Sequence, residues 1–351
     1  MSATAPAVAH GGLDPLVRHD AKLQAIDGVA ADDVWAVGVR GDGGYRNARP
    51  LTLHWDGDRW STVPSLNAAG VLISVEAVSS SDVWAVGQLY VGGDTDILIL
   101  HWDGSAWSRI AAPEQPGQYN HLDKVSAVSA DDVLAVGEYS SGEEEPRPIS
   151  LHWDGRRWTQ SRAALDGIVQ LDAISPRDAW AVGESAQQTT LAKHWDGTRW
   201  QRVATPDPDR PDALSLVTAV SSDDVWAAGY TTPSYQGFTE HWDGSRWQVA
   251  DPDIPTGYHV DSLSGSPDHD VWVSGNQGNE VVLRHWTGDR WHAVESPASQ
   301  RSEAVVSGIK ALSDVDAWAV GSWYLCDGGR YCYYQRILMH WDGTEWTDYR
   351  R

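Results

Sequence analysis

Between residues 214 and 247, apolar and polar positions fall into four short runs, each too brief for a helix. Leu214-Ser-Leu-Val-Thr-Ala-Val-Ser221 is apolar with small residues interleaved. A Ser/Asp turn leads into Asp224-Val-Trp-Ala-Ala-Gly229, and a loop leads into a third run ending at His241-Trp242. Asp243-Gly244 is a two-residue hairpin signal, and the run after it carries Trp247. No stretch of the chain sustains a helical period. The pattern predicts four antiparallel strands.

The same phrase is written seven times. Its His-Trp pair begins at His54, His101, His152, His194, His241, His285 and His340, spaced 47, 51, 42, 47, 44 and 55 residues apart. Four-stranded units at this period in seven copies predict an all-β fold, a seven-bladed β-propeller. Residues 1–12 are expected to be a flexible lead-in and 13–351 a single propeller. Its blades are expected near 22–63, 71–110, 121–161, 167–203, 213–250, 259–294 and 305–349.

Composition sharpens this. Of the 21 tryptophans, all but Trp323 occupy repeat positions, so they read as core. The net charge of −23 argues against nucleic acid and anionic membranes as partners. No apolar stretch approaches a membrane span, and the first ten residues lack the features of a secretion signal. The expectation is a cytoplasmic monomer.

Two connections vary in length and two do not. From the second-strand Gly to the His the step is 16, 14, 15, 11, 12, 10 and 19 residues, whereas His to the closing Trp is always six. Strands alternate in direction, so the variable connections share one face, where binding or catalysis is expected. Each repeat also carries an Asp two positions before the second-strand Trp site: Asp33, Asp82, Asp132, Asp178, Asp224, Asp270 and Asp316. Paired with the His, it reads as a buried hydrogen bond present once per blade, because one active site has no use for seven copies. The Gly ending the second strand reads as a close backbone approach or a kink. Two repeats deviate: Leu134 replaces the second-strand Trp in blade three, and Thr287 replaces the turn Asp in blade six.

The Gly after an apolar strand, followed by aromatics closing a hairpin, resembles the kelch or galactose-oxidase-like propeller repeat. The wording Asp-Val-Trp-Ala-Val-Gly…His-Trp-Asp-Gly-x-x-Trp is similar to a bacterial variety of it, over about residues 22 to 349. The resemblance implies fold and little about activity. The copper constellation of galactose oxidase is not carried over, and no cofactor or metal is expected.

Function is sought where the copies differ. His121 with Asp123 and His259 with Asp261 occupy the same first-strand positions in blades three and six, at the expected channel mouth. They are candidate acid/base residues or, alternatively, solvated strand starts. Tyr119 and Tyr258 precede them. Blade seven carries the longest connection, with Trp323, Tyr324, Tyr331, Tyr333 and Tyr334 as a candidate ligand wall. Cys326 and Cys332 in that loop could join, but in a reducing cytoplasm they are expected to stay thiols. Tyr45, Arg46 and Arg49, with Tyr230, Tyr235 and Phe238, point to the same face. Glu143, Glu144 and Glu145 read as a solvated loop. Asp27, Glu76 and Asp172 could make the channel negative or bond to neighbouring amides.

Two readings follow. One is a binding propeller taking a small-molecule, glycan or peptide ligand at the channel mouth. The other is a cofactor-independent cyclase, lyase or hydrolase using the two His-Asp pairs.

Overall fold

The computed structural model describes residues 20–41, 47–142, 145–161, 167–206, 212–231, 234, 236–250, 257–327 and 331–349, without the side chains of Asp327 and Tyr331. The lead-in expected at 1–12 lies outside them. Every repeat folds as an antiparallel meander in chain order, as in Ala21–Ala30, Asp33–Arg40, Arg49–Trp55 and Trp60–Thr62. Five units are separate four-stranded sheets. Units two and three share an eight-stranded sheet, joined by a single parallel pair, Thr95 with Tyr119. The described regular structure is otherwise one 3-10 turn, Pro297–Gln300.

The first strands are innermost, and each packs against the first strand of the next unit. Unit seven returns to unit one, where the Ser307 hydroxyl donates to the Leu23 carbonyl at 2.6 Å and Lys310 Nζ lies 2.6 Å from Asp27 Oδ1. Among the described residues no strand is exchanged between units at this seam, and side chains join its two sides.

The recurring glycine has a steric cause. In every first strand one residue bulges out of register: Gln24, Ile73, Asp123, Val169, Ser215, Asp261 and Ser307. The bulge drives a first-strand carbonyl toward the second-strand Gly. A Cβ on Gly183 would sit 1.8 Å from the Gly167 oxygen, and one on Gly137 2.2 Å from the His121 oxygen. No larger residue fits there.

The hairpin turn is held by its aspartate. Asp103 Oδ1 accepts from the Ser105 hydroxyl at 2.7 Å and from the amides of Ser105 and Ala106 at 2.9 Å, which pulls its pKa down to about 2. Gly104 follows at φ +88°, in the left-handed region. In unit six Thr287 replaces the aspartate, yet Gly288 keeps φ +92° and the turn survives.

Tryptophan joins the units. Trp35 stacks on His54 of its own unit at 4.4 Å, and that His lies 2.8 Å from Asp33. The same indole inserts between Trp102 and Trp107 of unit two, at 5.0 and 5.3 Å. The arrangement recurs for Trp84, Trp180, Trp226, Trp272 and Trp318. All seven His–Asp pairs lie within 2.8–3.0 Å. They are scaffold. Unit three, with Leu134, leaves His152 without a stacking indole, and its side chain is 40% exposed against 9–32% for the other six.

Candidate functional site

The two candidate His–Asp pairs sit at the starts of the first strands of units three and six, Tyr119–Ser129 and Tyr258–Gly265. In unit three, His121 pairs across the sheet with Glu138, and Asp123 occupies the bulge. His121 Nε2 lies 3.3 Å from Asp123 Oδ1; the bond to that carboxylate, reinforced by the charge of Glu138, raises the imidazole pKa. In unit six, His259 pairs with Asn276, and its Nδ1 lies 3.4 Å from the bulged Asp261. The Asn276 amide donates to Asp261 Oδ2 at 2.5 Å. Burial outweighs these contacts and pushes Asp261 up to about 6. The Tyr230 ring stacks beside His259 at 6.1 Å. Each His thus holds its own unit's Asp, and no hydrogen bond or ion pair links one pair to the other. Among the described residues no cluster of three His, Cys, Asp or Glu side chains could hold a metal.

Tyr258 corrects an expectation. It is fully buried in the core with Trp226, Val260 and Val271, and its hydroxyl donates to the Val282 carbonyl at 3.3 Å. Alternation along the strand turns it away from the face that carries His259. Gly237 makes room for it, since a Cβ there would lie 2.9 Å from the ring. Phe238 is likewise drawn inward, packing on the core shared by units four and five. Tyr119 remains exposed at the mouth. Arg49 is half-buried and donates to the Ala48 carbonyl at 2.9 Å. Tyr45, Arg46, Tyr235, Glu143 and Glu144 lie outside the described residues, as does the Tyr331 side chain.

Unit seven projects furthest. Its strands Asp316–Asp327 and Tyr331–Trp341 pair out to Asp327 with Tyr331. Cys326 and Cys332 face one another and are joined by a disulfide, not left as thiols, because the register brings their Cα atoms to 4.1 Å. Tyr324 is exposed and packs on Tyr334 at 4.8 Å. Lys22 Nζ sits 3.5 Å above the Tyr334 ring. Tyr333 is half-buried. Trp323 is partly buried against the core, with the Arg301 guanidinium 3.8 Å over its ring.

Deeper in the channel, Asp27 and Asp172 brace the ring. Asp27 Oδ2 accepts the Ala77 amide at 2.7 Å and Asp172 Oδ2 the Ala219 amide at 2.8 Å, each from the next unit. Thr218 and Ser264 do the same for Gly265 and Ala311. Glu76 makes no such bond; burial, then the charges of Asp27 and Asp172, raises its pKa well above the carboxylate range.

Asn276 and Glu138 escaped the sequence reading, although a signal existed: each follows the second-strand Gly, which sets it opposite the candidate His. A cavity of about 160 Å³ lies on the flank of unit one, lined by Arg40, Leu51, Thr62, Pro64 and Leu66, and no candidate residue borders it.

No protein-family model and no curated protein matches the chain. Solved structures do. YCF48 bound to D1 peptide superposes with a TM-score of 0.56 at 15% identity, covering 87% of this chain and 92% of that one. A Mycobacterium tuberculosis puromycin-hydrolyzing peptidase gives 0.62 at 13%, covering 94% of this chain and 53% of that one. The Aleuria aurantia lectin in complex with Fucα1-6GlcNAc gives 0.50 at 14%, covering 79% and 95%. At such identities the likeness speaks for architecture alone, and the chain is an all-β propeller repeat protein.

Proposed function

We propose that the seven meanders are the blades of a seven-bladed, kelch-like propeller that binds a peptide or glycan on its variable-loop face. One observation carries the reading. Of the ten exposed large hydrophobic residues among those described, six lie at first-strand starts or on second-strand ends: Val91, Tyr119, Val169, Val305, Tyr324 and Leu325. Apolar side chains gathered on one face of so acidic a chain suit a ligand that stacks. The peptide in the YCF48 structure and the glycan in the lectin structure support those two ligand classes. The test is a combined glycan and peptide array, followed by titration of the hits. Tyr324→Ala should weaken binding about tenfold, and undiminished affinity in that variant would count against this face.

Asp261 favours a second reading, acid–base catalysis at the same mouth. A carboxyl poised near 6 can exchange protons close to neutrality. On a panel of chromogenic ester and glycoside substrates, turnover should rise through pH 6 and vanish in Asp261→Asn. Turnover that survives the substitution removes this reading.

A further inference from the structure

Unit six departs from the other six units at one spot, the end of its sheet away from His259. Elsewhere the first strand closes on the repeat Asp through a two-residue turn, as between Ala30 and Asp33 or Ser221 and Asp224. In unit six the pairing stops at Gly265 with Val271, and the turn takes another course, the His269 amide donating to the Ser266 carbonyl at 3.0 Å. His269 sits at φ +66°, in the left-handed region, and its Nδ1 lies 2.5 Å from Asp224 Oδ2 of unit five. The turn has thereby left its own hairpin. On the hairpin glycines of the other units, such as Gly57 and Gly244, a Cβ would meet the turn side chain at 2.5–2.8 Å. On Gly288 it would meet nothing within 4 Å.

Three donors that are filled in the other units are left over there. In six units the indole N–H of the Trp after the repeat His donates to the turn carbonyl at 3.0–3.3 Å, as from Trp55 to Ala31 and from Trp341 to Asp314. Trp286 is the counterpart in unit six, and no described residue accepts from its indole. In the same six units the hairpin Asp accepts two backbone amides at 2.9–3.1 Å. Thr287 stands in its place, and its hydroxyl donates to Asp289 Oδ1 at 3.1 Å instead. The amides of Asp289 and Arg290 have no acceptor among the described residues. Arg59, Arg157, Arg199 and Arg246 lean on their hairpin Asp at 3.7–4.0 Å; Arg290 Nε donates to His292 Nε2 at 3.3 Å. Gly288 links the free amides to the space that the turn has left.

The groups at this turn select the chemistry of a ligand. A carboxylate would answer the two amides but meet the Asp289 charge beside them, in a chain of net charge −23. An ammonium would suit Asp289 and leave all three N–H groups unanswered. A hydroxyl accepts and donates, so neighbouring hydroxyls on one ring answer both kinds of group. We propose that the open turn of unit six is a sugar subsite. Ring hydroxyls accept from the Trp286 indole and the Asp289 and Arg290 amides, and one donates to the Asp289 carboxylate. Asp289 and Arg290 are exposed, so the sugar replaces water there and a single residue binds weakly. The subsite is separate from the variable-loop face and does not depend on what binds there.

The probes are the methyl pyranosides of glucose, galactose and mannose, titrated into the full chain isotope-labelled at the tryptophan indole nitrogen and followed by NMR. Sodium acetate and ethylammonium chloride are the charged controls. Trp286→Phe identifies the Trp286 indole resonance among the 21. At least one glycoside should move that resonance saturably, with a dissociation constant in the millimolar range, and neither control should. Thr287→Asp rebuilds the hairpin of the other six units and gives the amides an internal acceptor. It should weaken glycoside binding about tenfold or more while keeping or raising Tm. Tyr324→Ala should leave the titration unchanged, which separates this subsite from the variable-loop face. The proposal is overturned by the absence of a saturable shift with all three glycosides, or by a shift that Thr287→Asp leaves intact. Acetate or ethylammonium moving the resonance at lower concentration than any glycoside overturns it too, as does a titration lost in Tyr324→Ala.

Discussion

Replacing Trp318 with alanine is expected to lower the unfolding free energy by about 4 kcal/mol. Trp318 is 1% exposed, stacks on His340 at 4.5 Å, and inserts between Trp55 and Trp60 at 4.9 and 5.2 Å. Every other seam is also bridged by the chain running into the next unit. The seven–one seam joins opposite ends of the described chain and, among the described residues, is held by side-chain packing, the Ser307 and Lys310 bonds, and the bond from the Tyr334 amide to Asp20. Cutting the indole away removes about 200 Å² of burial and leaves a cavity that Tyr349, 5.1 Å off, fills only in part. Leu134→Ala at the equivalent position of unit three is the comparison. That seam already lacks an indole, so the loss there should be about 2 kcal/mol. Urea unfolding followed by far-UV circular dichroism measures both. Equal losses at the two sites would mean that closure of the ring does not rest on Trp318.

Glu240→Gln should raise stability at pH 7 by about 3 kcal/mol and flatten its dependence on pH. Glu240 precedes the repeat His of unit five, where units one to three place Leu53, Leu100 and Leu151. It is fully buried, and neither carboxylate oxygen has a hydrogen-bond partner among the described residues. Burial, with the neighbouring Asp212 charge adding to it, pushes its pKa from an ordinary 4.5 to about 8. Lys193 and Arg284 hold the corresponding positions of units four and six. The folded protein therefore keeps a proton that the unfolded chain releases above pH 4.5. Fewer protons bound in the unfolded state mean that stability falls as pH rises, from about 4.5 until the folded carboxyl ionises near 8. From 4.5 to neutrality this costs about 1.4 kcal/mol per pH unit, or about 3 kcal/mol in total. Glutamine keeps the shape and has no proton to hold. Unfolding curves of both proteins at pH 5, 6, 7 and 8 should diverge steadily with pH; parallel curves would show that Glu240 finds a partner when ionised.

The strands, the hairpin turns and the structural nature of the His–Asp pairs could all be read along the chain. These features are local and repeated seven times, so a seven-letter phrase carries both the strand period and the turn chemistry. The second-strand Gly was legible as a close approach, but its cause, a bulge one strand away, lies in register. Tyr258 shows the limit more sharply. It stands next to His259 in sequence, yet alternation and the space left by Gly237 send it into the core. Glu240 gave little warning, because a charged residue in a strand looks alike whether it faces water or a neighbouring unit.

By itself, the order of residues determined the all-β class and the repeated four-stranded unit, because each depends on spacing within one repeat. The tertiary structure alone decided which charges are left unpaired, which aromatics are exposed, and how the ends of the ring are joined. Those depend on contacts between units that lie about 50 to 300 residues apart, and desolvation at such contacts has no signature in a local pattern.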